Sequence, residues 1–189
     1  DIESKKIMNK LINFRLSGNL NFMSGFHDIQ HRQYFESFLG LKAKGEIFVD
    51  IGGYDGYTTE EFIKRCPEYK SIHFFEPTLK NMNLAQEKLK TYSDISYYQK
   101  GLSNNKGSLP FEFNGSASRV SVLSNDYIEV DKLDNMLNQS CTFIKMDIEG
   151  AEYKALEGSA QIIKKYQPRL AISVYHKGNN KIKLTPKTE

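Results

Sequence analysis

Apolar positions along the chain follow two rhythms. Before residue 40 they recur at helical intervals: Ile7, Met8, Leu11 and Ile12 with Arg15, then Ile29, Tyr34, Phe35, Phe38 and Leu39. Turn residues in "SGNLNFMSG" separate these two predicted helices, and Gly40 with "KAKG" closes the second. From Glu46 onward, short continuous apolar runs alternate with amphipathic stretches. "EIFVDIGG", "SIHFFEP", "ISYYQKGLS", "TFIKMDIEG" and "RLAISVYH" are rich in β-branched and aromatic residues and read as five strands. Between them, "TTEEFIKR" opens with the capping-box order Thr58 to Glu61, and "TLKNMNLAQEKLK" repeats Leu79, Met82, Ala85 or Gln86, and Leu89 at helical spacing. A short helix is expected around Asp131 to Asn138. A longer one, "AEYKALEGSAQIIKKY", turns Ala151, Ala155, Leu156, Ile162, Ile163 and Tyr166 inward and is stopped by Pro168. "GSLPFEFNGSASRVSVLSND" is turn-rich and predicts a hairpin or a flexible excursion.

Strands this apolar cannot lie in a sheet with one wet face. Alternating with helices, they predict a doubly wound α/β domain, a mainly parallel sheet with helices on both faces. It should occupy residues 41–189, behind a helical extension over residues 1–40. Such sheets bind ligands beyond the carboxyl ends of their strands. At those ends the sequence places Asp50, Glu76, Asp147 and His176.

Composition narrows the function. A chain of 189 residues with 39% hydrophobic content can bury one real core. A net charge of +3, with both signs mixed, is too mild for a nucleic-acid partner. Cys66 and Cys141 stand in no metal or redox spacing and read as reduced thiols. Apolar runs are only a few residues long, so no membrane span is predicted. "DIESKK" leads into an amphipathic stretch with no signal-peptide pattern, and the expected location is the cytoplasm.

The stretch "FVDIGGYDG" holds the candidate chemistry. A phosphate loop requires a lysine after its last glycine, and none follows Gly56. The nicotinamide frame puts Ile51 where the first glycine belongs, and Asp50 would repel a pyrophosphate. The sulfonium and ammonium of S-adenosylmethionine suit that acid. Glu76, about 20 residues beyond the loop, stands where a ribose-binding carboxylate belongs, with two oxygens for two hydroxyls. This pairing of loop and acid is common to NAD and S-adenosylmethionine binders. Taken singly, glycines after a strand make a tight turn and a Glu before Pro is a solvated strand end. Together in a βαβ frame they indicate a cofactor site.

In chain order, "FVDIGGYDGYTTEEFI", "IHFFEP", "KGLSNNKG", "SASRV", "VDKLDNML", "TFIKMDIEGAEYKALEGSA" and "RLAISVYHK" resemble the FkbM family of S-adenosylmethionine-dependent methyltransferases. The likeness runs from about Tyr34 to Lys177, and "IKMDIEGAE" is its most specific phrase. The resemblance implies a class I, Rossmann-like methyltransferase fold and methyl transfer to oxygen, with S-adenosylhomocysteine as product. It implies an acceptor that is a small molecule or glycan, such as a sugar, a polysaccharide precursor or a small natural product. Asp50, Gly52, Gly53 and Gly56 would wrap the methionine part, flanked by Tyr54, and Glu76 with Pro77 would meet the ribose. Gly101, Leu102 and Ser103 would lie near the adenine. His176 and Asp147 match strand-end residues suited to accept the hydroxyl proton, His176 having its ordinary pKa closest to working pH. Glu149, Glu152 and Arg119 are substrate candidates, although first-turn carboxylates are equally explained by the helix dipole. The same acids with His176 would suit a divalent ion, but a helix start needs none, and no metal is expected. His27 and His31, four apart, read as surface residues. The family fold ends with an antiparallel strand pair that "KGNNKIKLTPKTE" is too short and polar to supply, so that pair should be missing or truncated. Two other functions remain open: a catalytically inactive, cofactor-shaped interaction module, and an NAD-dependent oxidoreductase.

Overall fold

Helical spacing at the start of the chain is realised as α1 (Ile2–Ser17), which ends where Gly18 takes a left-handed backbone (φ 65°). A 3-10 turn, Leu20–Met23, follows, capped by the Asn19 side chain. Lys10 ties it back to the helix by donating to the Ser24 carbonyl (3.0 Å). The computed structural model describes residues 2–26, 30–115 and 118–174. Two units are distinguished by their internal contacts, Asp1–Gln33 and Tyr34–Glu189.

From Tyr34 the described elements begin with β1 (Ile47–Ile51), α2 (Tyr57–Arg65), β2 (Ser71–Phe75), α3 (Leu79–Leu89) and β3 (Ile95–Tyr98). Four short strands follow: β4 (Gly101–Leu102), β5 (Gly107–Glu112), β6 (Arg119–Val120) and β7 (Tyr127–Asp131). The chain continues through α4 (Leu133–Met136), β8 (Phe143–Met146), α5 (Glu152–Glu157), α6 (Ala160–Tyr166) and β9 (Arg169–Ile172). Among the described residues, β3-β2-β1-β8-β9 form one five-stranded sheet, and every neighbouring pair in it is parallel.

Alternation along β1 shows how that sheet is covered. Ile47, Val49 and Ile51 enter a core with Leu133, Ala155 and Ile162, contributed by α4, α5 and α6. Phe48 enters the opposite core with Phe62 and Ile63 of α2 and Met82, Ala85 and Leu89 of α3. Both faces are therefore buried, as the apolar runs require. The fold is the doubly wound, Rossmann-like arrangement expected. Phe48 stacks against both Phe62 and Phe143, with centroids 4.3 and 5.1 Å away. Cys66 and Cys141 are free and buried, and burial pushes both thiols up to about 11, out of nucleophilic range at neutral pH.

Several sequence expectations need correction. Among the described residues, the second N-terminal helix is replaced by the 3-10 turns Gln30–Arg32 and Ser37–Leu39, and Gly40 ends the latter in the left-handed region. Phe35 is buried but Phe38 is exposed, so the apolar residues are separate anchors and not one face. Ile29 and His27 lie outside the described residues. Thr58 does not cap α2; Asp55 accepts the Tyr57 N–H (3.0 Å), while Glu61 pairs with Lys64 and Arg65. "ISYYQKGLS" is not one strand. It breaks after Tyr98, and Gly101–Leu102 joins a second sheet ordered β4-β7-β5-β6. That sheet is what the turn-rich excursion builds. Asp131 ends β7 and precedes α4 instead of starting a helix. The long helix is two, broken at Gly158, where a Cβ would lie 2.0 Å from the Ser103 carbonyl oxygen. The predicted C-terminal strand ends and the missing pair beyond them fall on residues outside those described. Among the described residues no helix is long and apolar enough to cross a membrane.

Candidate functional site

Strand order places the ends of β2, β1, β8 and β9 side by side along one edge of the sheet. Glu76, the glycine loop, Asp147 and Ser173 thus become neighbours although the sequence scatters them. Backbone strain gathers here too. Tyr54 (φ 51°) after β1 and Glu149 (φ 54°) after β8 both hold the left-handed region that L side chains rarely adopt.

Under the loop, space decides. Gly52 has φ 75°, and a Cβ there would lie 2.1 Å from the Asp147 carbonyl oxygen. At Gly53 a Cβ would lie 2.1 Å from the Phe74 ring. These two glycines let the loop settle onto β8 and the core beneath it. The loop N–H groups also turn inward. Gly52 and Gly53 both donate to the Phe75 carbonyl (3.0 Å each), and Gly56 donates to the Gly53 carbonyl (2.9 Å). Tyr54 donates to Glu76 Oε2 (3.2 Å). A phosphate is gripped by N–H groups pointing outward from such a loop, and these point elsewhere.

Glu76 is nearly fully buried. Its Oε1 accepts three donors: the Thr78 N–H (3.0 Å), the Thr78 hydroxyl (2.6 Å) and the Asn81 amide (3.3 Å). Oε2 carries only the longer bond from Tyr54. Oε1 is thus occupied within the protein, and Oε2 is the oxygen that keeps acceptor capacity to spare. Burial raises the Glu76 pKa, and the four hydrogen bonds only partly oppose it. Pro77, half-buried, ends the strand beside it.

Asp50 differs from the expectation in its role. Its carboxylate is fully buried beneath the loop, where Oδ2 accepts the Thr59 hydroxyl (2.7 Å) and Oδ1 lies 3.1 Å from Lys145 Nζ. Its charge is answered inside the protein, so it is not left to attract a sulfonium. Lys145 also donates to the Gly52 carbonyl (2.7 Å), and its ammonium lies 5.2 Å from the centre of the Tyr34 ring. The strand register had set this up, since Asp50 and Lys145 are direct partners across β1 and β8.

Asp147 follows β8 and is half-buried. Tyr34 donates its hydroxyl to Asp147 Oδ2 (2.5 Å) and lies 3.3 Å from Ser173 Oγ. Glu152 is buried and accepts the Ile148 N–H (3.0 Å), which holds the turn after β8. That bond engages Glu152 in the turn itself. Glu149 stays within that turn, half-buried. His176 lies outside the described residues. Arg119 pairs with Glu112 (3.2 Å) across β5 and β6, both side chains largely exposed. Leu102 is buried in the core with Val49 and Ile144, while Gly101 pairs with Val130 and the Ser103 N–H donates to Asp131 (3.0 Å). The Leu102 side chain thus packs in the core. Among the described residues, no cluster of three or more His, Cys, Asp or Glu could hold a metal ion.

Sequence reasoning missed Lys145, Tyr34, Thr59 and Ser173. One signal was readable. A lone cation inside the apolar run "TFIKMDI" matches a lone acid inside "FVDIGG", and buried opposite charges find each other.

The site offers an acceptor at Glu76 for ribose hydroxyls, and the N–H groups of Gly52, Gly53, Tyr54 and Gly56 are engaged within the protein and not turned toward a pyrophosphate. Comparison with known proteins agrees. A family model described as the methyltransferase FkbM domain matches residues 50–184. Among solved structures, methyltransferase FkbM from Methylobacillus flagellatus KT shares 28% identity over 88% of this chain, with a TM-score of 0.68. This chain covers 43% of that protein, less than half its length. An rRNA methylase from Streptococcus thermophilus matches 76% of this chain and 68% of its own at 14% identity and TM-score 0.48. SMU.1697c from Streptococcus mutans, solved in complex with SAH, matches 78% of this chain and 71% of its own at 13% identity and TM-score 0.48. No curated protein sequence gives a significant match.

Proposed function

The chain belongs to the FkbM family of S-adenosylmethionine-dependent methyltransferases, and we propose that it methylates a hydroxyl oxygen of a sugar, a polysaccharide precursor or a small natural product. The observation that carries this reading is the side-by-side placement of Glu76 Oε2 and Asp147, on either side of a loop whose N–H groups face inward. S-adenosylmethionine supplies an electrophilic methyl carbon already activated by its sulfonium. What the chain adds is placement and a proton acceptor.

Glu76 Oε2 accepts a ribose hydroxyl. In the loop from Gly52 to Gly56, Gly53 and Gly56 pack onto the core and Tyr54 is the exposed residue that faces an incoming ligand. A sugar hydroxyl is a weak nucleophile at neutral pH, so losing its proton as the new bond forms lowers the barrier. Asp147, oriented by Tyr34, stands at the adjacent strand end to accept that proton, and His176 is the other candidate. The loop runs against the oxidoreductase alternative, because the N–H groups of Gly52, Gly53, Tyr54 and Gly56 are already engaged within the protein and are withheld from a pyrophosphate.

Calorimetry with S-adenosylhomocysteine and with NAD tests the cofactor. Binding of the first and not the second is expected, and the reverse would end this reading. A screen of hydroxyl compounds with labelled methyl donor identifies the acceptor. On that acceptor, replacing the true proton acceptor (Asp147→Asn or His176→Ala) should cost about 10²–10⁴ in turnover with S-adenosylhomocysteine affinity unchanged.

A further inference from the structure

We infer that Lys145 is a positioning residue for the cofactor loop, and that its hydrogen bond to the Gly52 carbonyl, not the charge of Asp50, is what the loop needs from the ion pair beneath it. This rests on the cofactor reading above. Lys145 is one of the few charged side chains buried in the described core, with 3% of its side chain exposed against 0% for Asp50. Burying such a pair is expensive, and a well-packed apolar pair would often serve stability as well. The pair therefore calls for a use beyond holding β1 to β8, which their backbone ladder already does.

Geometry supplies that use. The loop leaves β1 at Gly52, in a left-handed conformation that an unrestrained chain holds weakly. Its N–H is fastened to Phe75 on one side. Its carbonyl is fastened to Lys145 on the other, at 2.7 Å, a charge-assisted bond in a dry setting. The peptide groups on both sides of Gly52 are thus pinned, which fixes where Gly53, Tyr54 and the Tyr54 N–H on Glu76 lie. Asp50 contributes by holding the ammonium in place, and Tyr34 covers it with its ring. With asparagine at position 50 the amide oxygen can face the Lys145 ammonium while the amide NH2 donates to the Thr59 hydroxyl oxygen, which can accept as well as donate.

The test compares two variants that share one background. Asp50→Asn removes the acid but keeps Lys145 on Gly52, and should bind S-adenosylhomocysteine within about threefold of wild type. Adding Lys145→Met leaves no buried charge at the site and loses the bond to Gly52. Affinity should then drop about 10- to 100-fold, the range seen when a supporting partner of a binding group is removed. Urea melts report folding of each, and amide exchange over residues 52–56 should speed up in the double variant relative to Asp50→Asn, with or without ligand. Equal affinities and equal exchange in the two variants would overturn the inference. So would an Asp50→Asn loss as large as that of the double variant, because the acid's charge would then be the active element. If wild type itself binds no S-adenosylhomocysteine, the cofactor reading fails, and the exchange comparison still decides whether Lys145 holds the loop.

Discussion

The two ends of β1 carry the same kind of interaction and use it differently. At the amino end, Glu46 is buried against Arg169, whose Nη2 donates to both carboxylate oxygens (2.8 and 2.6 Å). The guanidinium continues to the carbonyls of Leu39 (3.3 Å), Gly40 (2.8 Å) and Thr142 (3.2 Å). Glu46 also accepts the Lys42 N–H (2.8 Å) and the Thr142 hydroxyl. This end is closed: a planar five-donor fork sews the segment before β1 to the starts of β8 and β9. At the carboxyl end a compact ammonium reaches one carboxylate and one carbonyl, and the carbonyl belongs to a strained loop. Arginine suits many fixed partners. Lysine, at the other end, concentrates its effect on a single peptide. Stability is invested below the sheet and shape above it.

That division can be broken experimentally, and the largest effect should come from below. Arg169→Met strands the Glu46 carboxylate without its cation and should cost about 3–5 kcal/mol in urea unfolding, as removing one partner of a buried pair does. Affinity for S-adenosylhomocysteine should stay within about twofold; a matching loss of binding would mean that the two ends are not separable. Above the sheet, Glu76→Ala should weaken that affinity about 10- to 100-fold, the worth of one or two hydrogen bonds to a carboxylate, with a smaller change in the urea midpoint.

Acid should expose the same contrast. Burial pushes the Glu46 carboxyl up, but bonds from Arg169, Thr142 and Lys42 outweigh it and hold its pKa below the ordinary value of 4.5. Its contribution to stability is then fully present above that value and is lost as pH falls through the depressed folded one. Urea melts at falling pH should show a steeper loss in wild type than in Glu46→Gln. Glu76 goes the other way. Burial raises its folded pKa above 4.5, so on acidification it protonates early. Protonation relieves the cost of the buried charge but removes the acceptor for a ribose hydroxyl. Affinity should therefore begin to fall while pH is still above the usual carboxylate range, and should show no such early fall in Glu76→Ala. The smallest effect belongs to the exposed pair of Arg119 and Glu112, where Arg119→Ala should shift stability by less than about 1 kcal/mol and leave binding alone.

Much of the central sheet was readable because its strands are buried on both faces and leave continuous apolar runs. Ile47 to Ile51 and Phe143 to Met146 could be little else. Glu76 and the glycine loop were readable for a related reason: strand ends and turn residues mark positions that topology then brings together. What escaped were contacts between residues far apart in the chain. Tyr34 looks like one apolar position of a helix, yet its ring covers a lysine 111 positions later and its hydroxyl meets an acid 113 positions later. Helical spacing from Ala151 to Tyr166 is unbroken on paper, yet the helix is interrupted where Gly158 packs closely on the Ser103 carbonyl and the Asp134 carboxylate accepts the N–H groups of Gln161 and Ile162 at the start of the second piece. The polar Gln99–Lys100 step in "ISYYQKGLS" was the available hint that one run served two sheets.

The inward-facing amides of the loop have a consequence for anyone hoping to retool this protein. Swapping acids at positions 50 and 76 would leave the peptide planes of Gly52 and Gly53 aimed at Phe75, committed to the neighbouring strand. Converting the crevice to a redox dinucleotide would thus mean rebuilding the main chain between β1 and α2. The choice of ligand is written into the backbone's orientation, one level below anything a point substitution can edit.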